Sequence, residues 1–117
     1  MNKRQVGGHY EQLARDYLIS NGLSIAASNY RNRFGEIDLV CKDKEYYVFV
    51  EVKYRHNKNV GLPIEAVDIR KQYKICRVAD YFRISRHLPD NTCIRFDVVT
   101  ILDEEITWYK NAFDYIQ

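Results

Sequence analysis

The sequence predicts an α/β protein in which a mixed β-sheet is flanked by helices. Apolar residues recur at helical spacing in segments 10–18 and 75–82, and β-branched runs of strand length occupy the segments around them. In chain order the elements are α-β-β-β-α-β-β. The second helix joins two strands that can pair in parallel, whereas a tight turn joins an antiparallel pair, so the sheet is expected to be mixed.

Each helix is marked by an apolar face and by residues that favour its ends. The face of the first helix consists of Tyr10, Leu13, Ala14, Tyr17 and Leu18. Asn21-Gly22 ends this helix, and Asp68 is the expected N-cap of the second. The apolar face of the second helix consists of Ile75, Val78, Ala79 and Phe82.

The strands are bounded by turn residues. Residues 24–31 are predicted to form an edge strand that leads into a hairpin. Leu88-Pro89-Asp90-Asn91 breaks the chain before a mostly apolar strand at residues 94–102, and residues 106–109 are expected to end the sheet. Asp97 lies inside the apolar strand, and we interpret it as a structural residue bonded to Arg95 or to a loop backbone.

Length and composition fit one small domain, residues 1–117, because a chain of 117 residues has one core and no room for a second. The N-terminus has no apolar signal segment, and no apolar run approaches the roughly 20 residues of a membrane span. We therefore expect a cytoplasmic protein with no membrane partner. Cys41, Cys76 and Cys93 lack CxxC spacing, which predicts neither a disulfide framework nor a zinc site.

Charged residues interrupt two apolar runs that we predict to form the hairpin. The runs are Gly35 to Val40 and Phe49 to Lys53, and Asp43-Lys44-Glu45 supplies the turn between them. With the turn centred between Lys44 and Glu45, residues whose numbers sum to 89 face each other.

This register brings charged side chains together. Asp38 is expected opposite Glu51, and Glu36 opposite Lys53. Because side chains alternate along a strand, Glu51 and Lys53 share a face with Asp38. The opposite face is predicted to be uniformly apolar and comprises Ile37, Leu39, Cys41, Val48, Val50 and Val52. Both faces are expected to be covered, with a polar pocket at one end.

Two facing carboxylates on a covered sheet favour a bound cation. With Cβ atoms roughly 5 Å apart, Asp38 and Glu51 repel each other unless positive charge lies between them. A hard divalent cation such as Mg²⁺ accepts carboxylate oxygens. Lys53 on the same face could then orient a water molecule or neutralise charge on a phosphate. The alternative is an ordinary ion pair of Lys53 with Glu36 or Glu51.

The pattern Asp…Glu-x-Lys on adjacent strands resembles the PD-(D/E)XK nuclease superfamily, in the form that lacks the proline. A longer ordered set of segments, which spans Gly7 to about Ile101, resembles the YraN family of small bacterial proteins, itself similar to archaeal Holliday junction resolvases. The matching segments are Glu11-Gln12-Leu13-Ala14, Tyr17-Leu18, Asn29-Tyr30-Arg31, Gly35 to Val40, Phe49 to Arg55, Gly61, Glu65-Ala66-Val67, Arg70-Lys71 and Arg95 to Val99. Two positions depart from the family, with Tyr10 where a small residue is usual and Lys44 where a turn glycine is common.

The resemblance implies a restriction-endonuclease-like αβββαβ core and an endonuclease that depends on Mg²⁺ or Mn²⁺. Asp38 and Glu51 would bridge the metal with the carbonyl of Val52 as a further ligand, and Lys53 would assist attack on the phosphate. In the resembled nucleases a glutamate of the first helix joins the site as a metal or water contact, a role that falls to Glu11.

Similarity to resolvases further implies branched DNA as the partner and a homodimer, which is an analogy at the level of the fold. For Glu11, an i,i+4 pair with Arg15 is the alternative. Two other functions stay open for the chain. One is a nucleic-acid-binding module that kept the fold and lost efficient turnover, and the other is a structural partner protein whose charged hairpin face is an interface.

Basic residues gather just after the predicted site, although the net charge is only +2. They are Arg55 and Lys58 after the second hairpin strand, and Arg70, Lys71, Lys74 and Arg77 on the second helix. A stripe of this kind can follow a phosphate backbone, so we predict that it contacts nucleic acid. The alternative is a solvated helix face.

Overall fold

The computed structural model describes residues 2–56 and 63–117, and its elements follow the predicted order. Their bounds are α1 Lys3–Ser20, β1 Ser24–Asn32, β2 Gly35–Asp43, β3 Tyr46–Arg55, α2 Ile69–Ser85, β4 Ile94–Leu102 and β5 Glu105–Tyr109. A short 3-10 helix, Pro63–Ala66, precedes α2. Lys58 and Gly61 lie outside the described residues.

The five strands form one mixed sheet in the order β1-β2-β3-β4-β5. β3 and β4 pair in parallel and are joined through α2, whereas the other neighbours pair antiparallel. The α/β class, the mixed sheet and the edge positions of the first and last strands are confirmed. β3 lies at the centre of the sheet, which agrees with its nearly continuous apolar run.

The predicted hairpin register is confirmed for the part of β2 and β3 that is paired. The partners are Leu39 with Val50, Val40 with Phe49, Cys41 with Val48, Lys42 with Tyr47, and Asp43 with Tyr46. Every pair sums to 89, as expected from a turn centred between Lys44 and Glu45. Lys44 adopts the left-handed conformation with φ of 56°, which explains why a glycine is favourable at this turn position.

Each face of the sheet is covered by one helix. Against α1, the buried core comprises Ala14, Leu18, Leu23, Leu39, Cys41, Val48, Val50, Val52, Val99 and Ile101. Against α2, it comprises Ile37, Val40, Phe49, Val67, Ile75, Cys76, Val78, Ala79, Phe82, Phe96 and Val98. The predicted apolar faces of both helices therefore point to the sheet. Neither of the described helices is long and apolar enough to cross a membrane.

The predicted apolar face of the hairpin is wrong at one position, Ile37. The other five residues of that face lie against α1, but Ile37 lies in the core formed by α2. Its partner in β1, Tyr30, contacts the same core. Asn29, just before Tyr30, has a φ of 51°, and a left-handed residue inside a strand breaks the alternation of faces. Ile37 follows Tyr30 to the α2 side.

Asp97 has the structural role expected of it. It is 1% exposed, and its carboxylate accepts bonds from the Arg95 guanidinium at 2.9 and 3.0 Å. Trp108 Nε1 and the backbone N–H of Asn111 also donate to it, each at 2.9 Å. Asp43 pairs with the same guanidinium at 3.0 Å. This network joins β4 to the end of β2 and to the segment after β5.

Asp97→Ala should lower the free energy of unfolding by about 3 kcal/mol, because it removes the acceptor of the Trp108 indole N–H and leaves the largely buried Arg95 guanidinium with Asp43 as its remaining carboxylate partner. Thermal and urea melts would measure this loss. The control is Asp114→Ala, which removes an exposed carboxylate and should change stability by less than about 0.5 kcal/mol. Equal melting temperatures of the two variants would contradict the structural role of Asp97.

Candidate active site

β2 and β3 separate at Asp38. Their described register pairs run from Asp43 with Tyr46 to Leu39 with Val50. Beyond that point β2 stays paired with β1 as far as Gly35 with Asn32, while β3 stays paired with β4 as far as Arg55 with Leu102. The centre of the sheet therefore opens into a fork between two strands that are each held by another neighbour.

The Asp38 side chain bridges this fork. Its Oδ2 atom accepts the backbone N–H of Val52 at 2.7 Å. In a regular ladder that N–H would donate to a backbone carbonyl, so a side chain here takes the place of the neighbouring strand. Hydrogen bonds to a carboxylate are stronger than bonds between neutral groups, and this one fixes Asp38 at the mouth of the fork.

Glu51 lies beside Asp38 and is 4% exposed. The charge of Glu51 is near enough to raise the pKa of Asp38. Glu51 Oε2 is 3.5 Å from Lys53 Nζ and 3.2 Å from Lys71 Nζ. Asp38, Glu51 and Lys53 thus meet in one place, and α2 adds Lys71. The ion pair of Lys53 with Glu51, one of the alternatives for this lysine, is present.

The predicted pairing of Glu36 with Lys53 is wrong. Glu36 Oε2 instead accepts a bond from Arg31 Nη2 at 2.8 Å, and the two residues are register partners of β2 and β1. Their side chains are 63% and 78% exposed, so the pair lies on the surface. Because the fork carries this part of β2 away from β3, Lys53 has Glu51 as its carboxylate partner.

Glu11 contributes a third carboxyl group from α1. Its Oε1 atom is buried and has no hydrogen-bond partner among the described residues. Arg15 Nε is also buried without a partner, and no Glu11–Arg15 ion pair occurs among the ion pairs of residues 2–56 and 63–117. A buried oxygen without a partner costs free energy, and a cation or an ordered water is the kind of ligand that removes this cost.

Two of the carboxyl groups, those of Asp38 and Glu11, have a raised pKa. Burial raises the pKa of Asp38 to about 7, the charge of Glu51 adds to the rise, and the bond from Val52 opposes it. Burial also raises the pKa of Glu11, Arg15 lowers it, and Glu51 is among the charges that raise it further. Burial is the largest cause of both rises and the neighbouring carboxylates add to it, a combination that is typical of functional sites.

The chemistry of these donors fits a hard divalent cation. Asp38, Glu51 and the unpartnered oxygen of Glu11 are carboxylate donors, and the backbone of Val52 already contacts Asp38. In the described part of the chain, no three His, Cys, Asp or Glu side chains lie close enough together to hold a metal ion. Two lysines hold Glu51 in this conformation, so metal binding would require Glu51 to exchange part of these contacts.

The predicted basic residues lie in different surroundings. Lys71 and Lys74 line a cleft of about 460 Å³ beside the fork. Arg70 is exposed at the start of α2, where the Asp68 side chain caps the helix by accepting the backbone N–H of Lys71 at 2.9 Å. At the end of β3, Arg55 donates to the backbone carbonyl of Tyr54 at 3.1 Å.

Arg77 is tied to the C-terminal segment. Its guanidinium donates to the Tyr115 hydroxyl at 3.0 Å and to the Ile116 carbonyl, and it pairs with Asp80 at 3.2 Å. It also lies over the Tyr73 ring, 4.8 Å from the centroid. These polar contacts all use Nη2, whereas Nε is buried and has no partner among the described residues, and together they favour a structural role over the predicted phosphate contact.

Two residues of the cleft were missed by sequence reasoning. Arg31 at the end of β1 and Arg33 in the β1–β2 turn line it together with Lys71 and Lys74 of α2. Their signal in the sequence is weak, because only the tertiary contact between this turn and α2 brings the two pairs together. The contact of Lys71 with Glu51 was missed for the same reason.

The comparisons with known proteins all indicate the same family. A family model described as "Uncharacterised protein family UPF0102" matches residues 10–101. A UPF0102 protein of Lachnoclostridium phytofermentans is 50% identical over 114 residues, which are 97% of each chain. Another, from Caldicellulosiruptor bescii, is 49% identical and covers 97% of this chain and 100% of its own. A third, from Legionella pneumophila, is 42% identical over 95% of this chain and 96% of its own.

Asp38→Asn should raise the melting temperature of the metal-free protein, and more so as pH increases. The pKa of Asp38 rises from 3.8 to about 7 on folding, so the folded state loses stability as pH rises between these values. Asparagine carries no charge and can still accept the Val52 N–H. We expect the melting temperature of the variant to exceed that of the wild type above pH 7 and to approach it near pH 4.

Glu45→Gln is the matched control for this prediction, since it removes an exposed carboxylate at the β2–β3 turn. It should shift the melting temperature little at any pH. An Asp38→Asn protein that melts below the wild type at pH 8 would show that the carboxylate stabilises the fork more than its burial destabilises it.

Proposed function

The chain belongs to the UPF0102 (YraN) family, and from the geometry of its site we propose that it is a metal-dependent nuclease acting on DNA phosphodiester bonds. The observation that carries the proposal is that Asp38 and Glu51 lie side by side at the fork, where the charge of Glu11 also acts on Asp38. A structural ion pair does not require a second carboxylate beside the paired one.

The proposed metal is Mg²⁺ or Mn²⁺, held by Asp38 and Glu51 with the Val52 carbonyl and Glu11 as further contacts. When bound, such an ion lowers the pKa of a coordinated water and stabilises charge on a phosphate. The bond from the Val52 N–H holds Asp38 in place, so this ligand is oriented before the metal arrives. Because Asp38 lies on a strand of the sheet, its carboxylate is held more precisely than it would be on a loop.

The lysines have separate roles in this proposal. Lys53, which is 3.5 Å from Glu51, orients the attacking water or neutralises the phosphate. Lys71, at 3.2 Å, holds Glu51 in the metal-free state. With Glu51 engaged by a bound ion, the Lys71 ammonium would be free to contact a phosphate oxygen beside the fork.

A second candidate function is a nucleic-acid-binding module without efficient turnover. The contacts of Glu51 with both Lys53 and Lys71 support it, because they offset the charge of this carboxylate without a metal. The two candidate functions differ in whether the protein needs the charge of Asp38 for its activity. A binding module keeps its affinity when Asp38 is neutral, and has no cleavage to lose.

Asp38→Asn, Glu51→Gln and Lys53→Ala should each reduce cleavage by at least about 100-fold, the scale of losing an electrostatic catalytic group. Cleavage should be measured with Mg²⁺ or Mn²⁺ on single-stranded, duplex, flapped and four-way DNA. Lys53→Ala should leave DNA affinity nearly unchanged, since it removes one of several cationic groups. The control Lys44→Ala changes an exposed lysine at the other end of β2 and should cleave normally. Near-normal cleavage by Glu51→Gln would refute the mechanism.

Mn²⁺ should raise the melting temperature of the wild type and barely change that of Asp38→Asn. A ligand that binds the folded state alone stabilises it by an amount that grows with concentration over Kd. A titration of melting temperature against Mn²⁺ measures this without any substrate. Glu45→Gln should respond like the wild type, and an equal rise in Asp38→Asn would mean that the metal binds at another site.

A further inference from the structure

The cleft beside the fork is lined by the β1–β2 turn on one side and by α2 on the other. Its volume is about 460 Å³, and its lining residues are Arg31, Asn32, Arg33, Phe34, Gly35, Glu36, Lys71 and Lys74. Two of them connect it to the candidate active site. Lys71 reaches Glu51 at 3.2 Å, and Glu36 precedes Asp38 by two residues on β2.

The two walls of the cleft are fixed to each other. The Asn32 side chain donates to the Val78 carbonyl of α2 at 3.2 Å and accepts the backbone N–H of Phe34 at 3.0 Å. Gly35 has a φ of 145°, and a Cβ at this position would lie 3.4 Å from the Val78 side chain. Only glycine readily adopts this conformation, so it lets the turn approach α2 closely. The contacts between the turn and α2 therefore fix the shape of the cleft.

The cleft is positively charged, although the chain as a whole is nearly neutral. Arg31, Arg33, Lys71 and Lys74 contribute four positive charges against one negative charge from Glu36. Arg33 and Lys74 are both exposed to solvent. Positive charge on both walls suits a polyanionic strand lying between them, because phosphates then have cations on either side.

Aromatic rings lie at the outer end of this cleft. Phe34, at the tip of the turn, is 48% exposed, and Tyr81 of α2 is 37% exposed. Their ring centroids are 5.9 Å apart and the planes are inclined by 58°, so the rings contact each other at an angle and both stay partly exposed. Burial in the core does not account for a phenylalanine that is half exposed at a turn. A flat apolar ring next to a row of cations is the arrangement on which unpaired bases stack.

We propose that this cleft binds an unpaired DNA segment whose backbone runs along Arg33, Lys74 and Lys71 towards Asp38, with a base stacked on Phe34. This inference rests on the proposed function and specifies its substrate as DNA that exposes a single strand at the cut site. In a duplex the base faces are already stacked on one another, so Phe34 gains a partner only from an unpaired nucleotide. Lys71 marks where the strand passes from the cleft to the fork.

Fluorescence anisotropy with metal-free protein and chelator tests the proposal apart from cleavage. The probes are a labelled 20-nucleotide single strand without self-complementarity and the blunt duplex of the same sequence. We expect the wild type to bind the single strand at least about 10-fold more tightly. Phe34→Ala should weaken single-strand binding by about 5- to 150-fold, the range for one stacked base, and leave duplex binding unchanged.

Two further variants separate stacking from apolar contact. Phe34→Tyr keeps the ring and should retain the affinity of the wild type, whereas Phe34→Leu keeps the apolar character and should bind as weakly as Phe34→Ala. Arg33→Glu with Lys74→Glu should flatten the dependence of log K on log salt by about 0.7 for each phosphate that is no longer neutralised by the protein. Lys44→Glu, with the same kind of charge reversal at the far end of β2, should leave the salt dependence as it is.

Equal affinity of the wild type for single strand and duplex, or unchanged single-strand binding by Phe34→Ala, would overturn the proposal. Thermal melts of every variant check that the fold is intact. The two proposals can also fail separately. Single-strand binding through the cleft without cleavage of any DNA supports the cleft and refutes the nuclease. Cleavage that depends on Asp38 but not on Phe34, Arg33 and Lys74 supports the nuclease and refutes the cleft.

Discussion

The hydrogen bond between the Asp38 carboxylate and the Val52 N–H is the interaction on which the candidate site depends. Two central strands of a sheet normally stay paired along their length, because each unpaired N–H costs free energy. Here the side chain supplies the acceptor, so β2 and β3 can part at Leu39 and Val50 without leaving this N–H unsatisfied. The same carboxylate is thereby held at the edge of the opening, where it faces Glu51.

The fork also explains why side chains from both faces of the sheet reach one place. α1 lies against one face and α2 against the other, and a closed sheet would keep Glu11 apart from Lys71. Where the strands separate, the two helices contribute opposite charges to a common region. Glu11 adds to the negative charge that raises the pKa of Asp38, and Lys71 offsets the charge of Glu51. The net charge of the site therefore depends on how far each helix extends over the opening.

Local features of the structure could be predicted from the sequence, and tertiary ones could not. The hairpin register follows from one turn and the alternation of side chains, so Asp38 and Glu51 could be placed together without a structure. The same rule failed at Ile37 and at Glu36, because a left-handed Asn29 and the departure of β2 towards β1 both depend on the neighbouring strand. The contacts of Arg77 could not be foreseen from its position on the helix, since its partners, Tyr115 and Ile116, are nearly 40 residues away. Glu11 could be proposed only through the family resemblance, and its unpartnered oxygen is a property of the fold.

The position of α2 relative to β3 sets the distance from Lys71 to Glu51, and contacts at the start and in the middle of the helix maintain it. At the N-terminus, Asp68 caps the turn that carries Lys71. Further along the helix, Arg77 binds the C-terminal segment, which also contacts β4 through the stacked rings of Phe113 and Phe96. Since β4 pairs with β3 in parallel, the C-terminal segment links α2 to the strand that carries Glu51. The contacts of Arg77 therefore have a structural consequence. They fix the position of the helix that supplies Lys71 to the fork and Lys74 to the cleft.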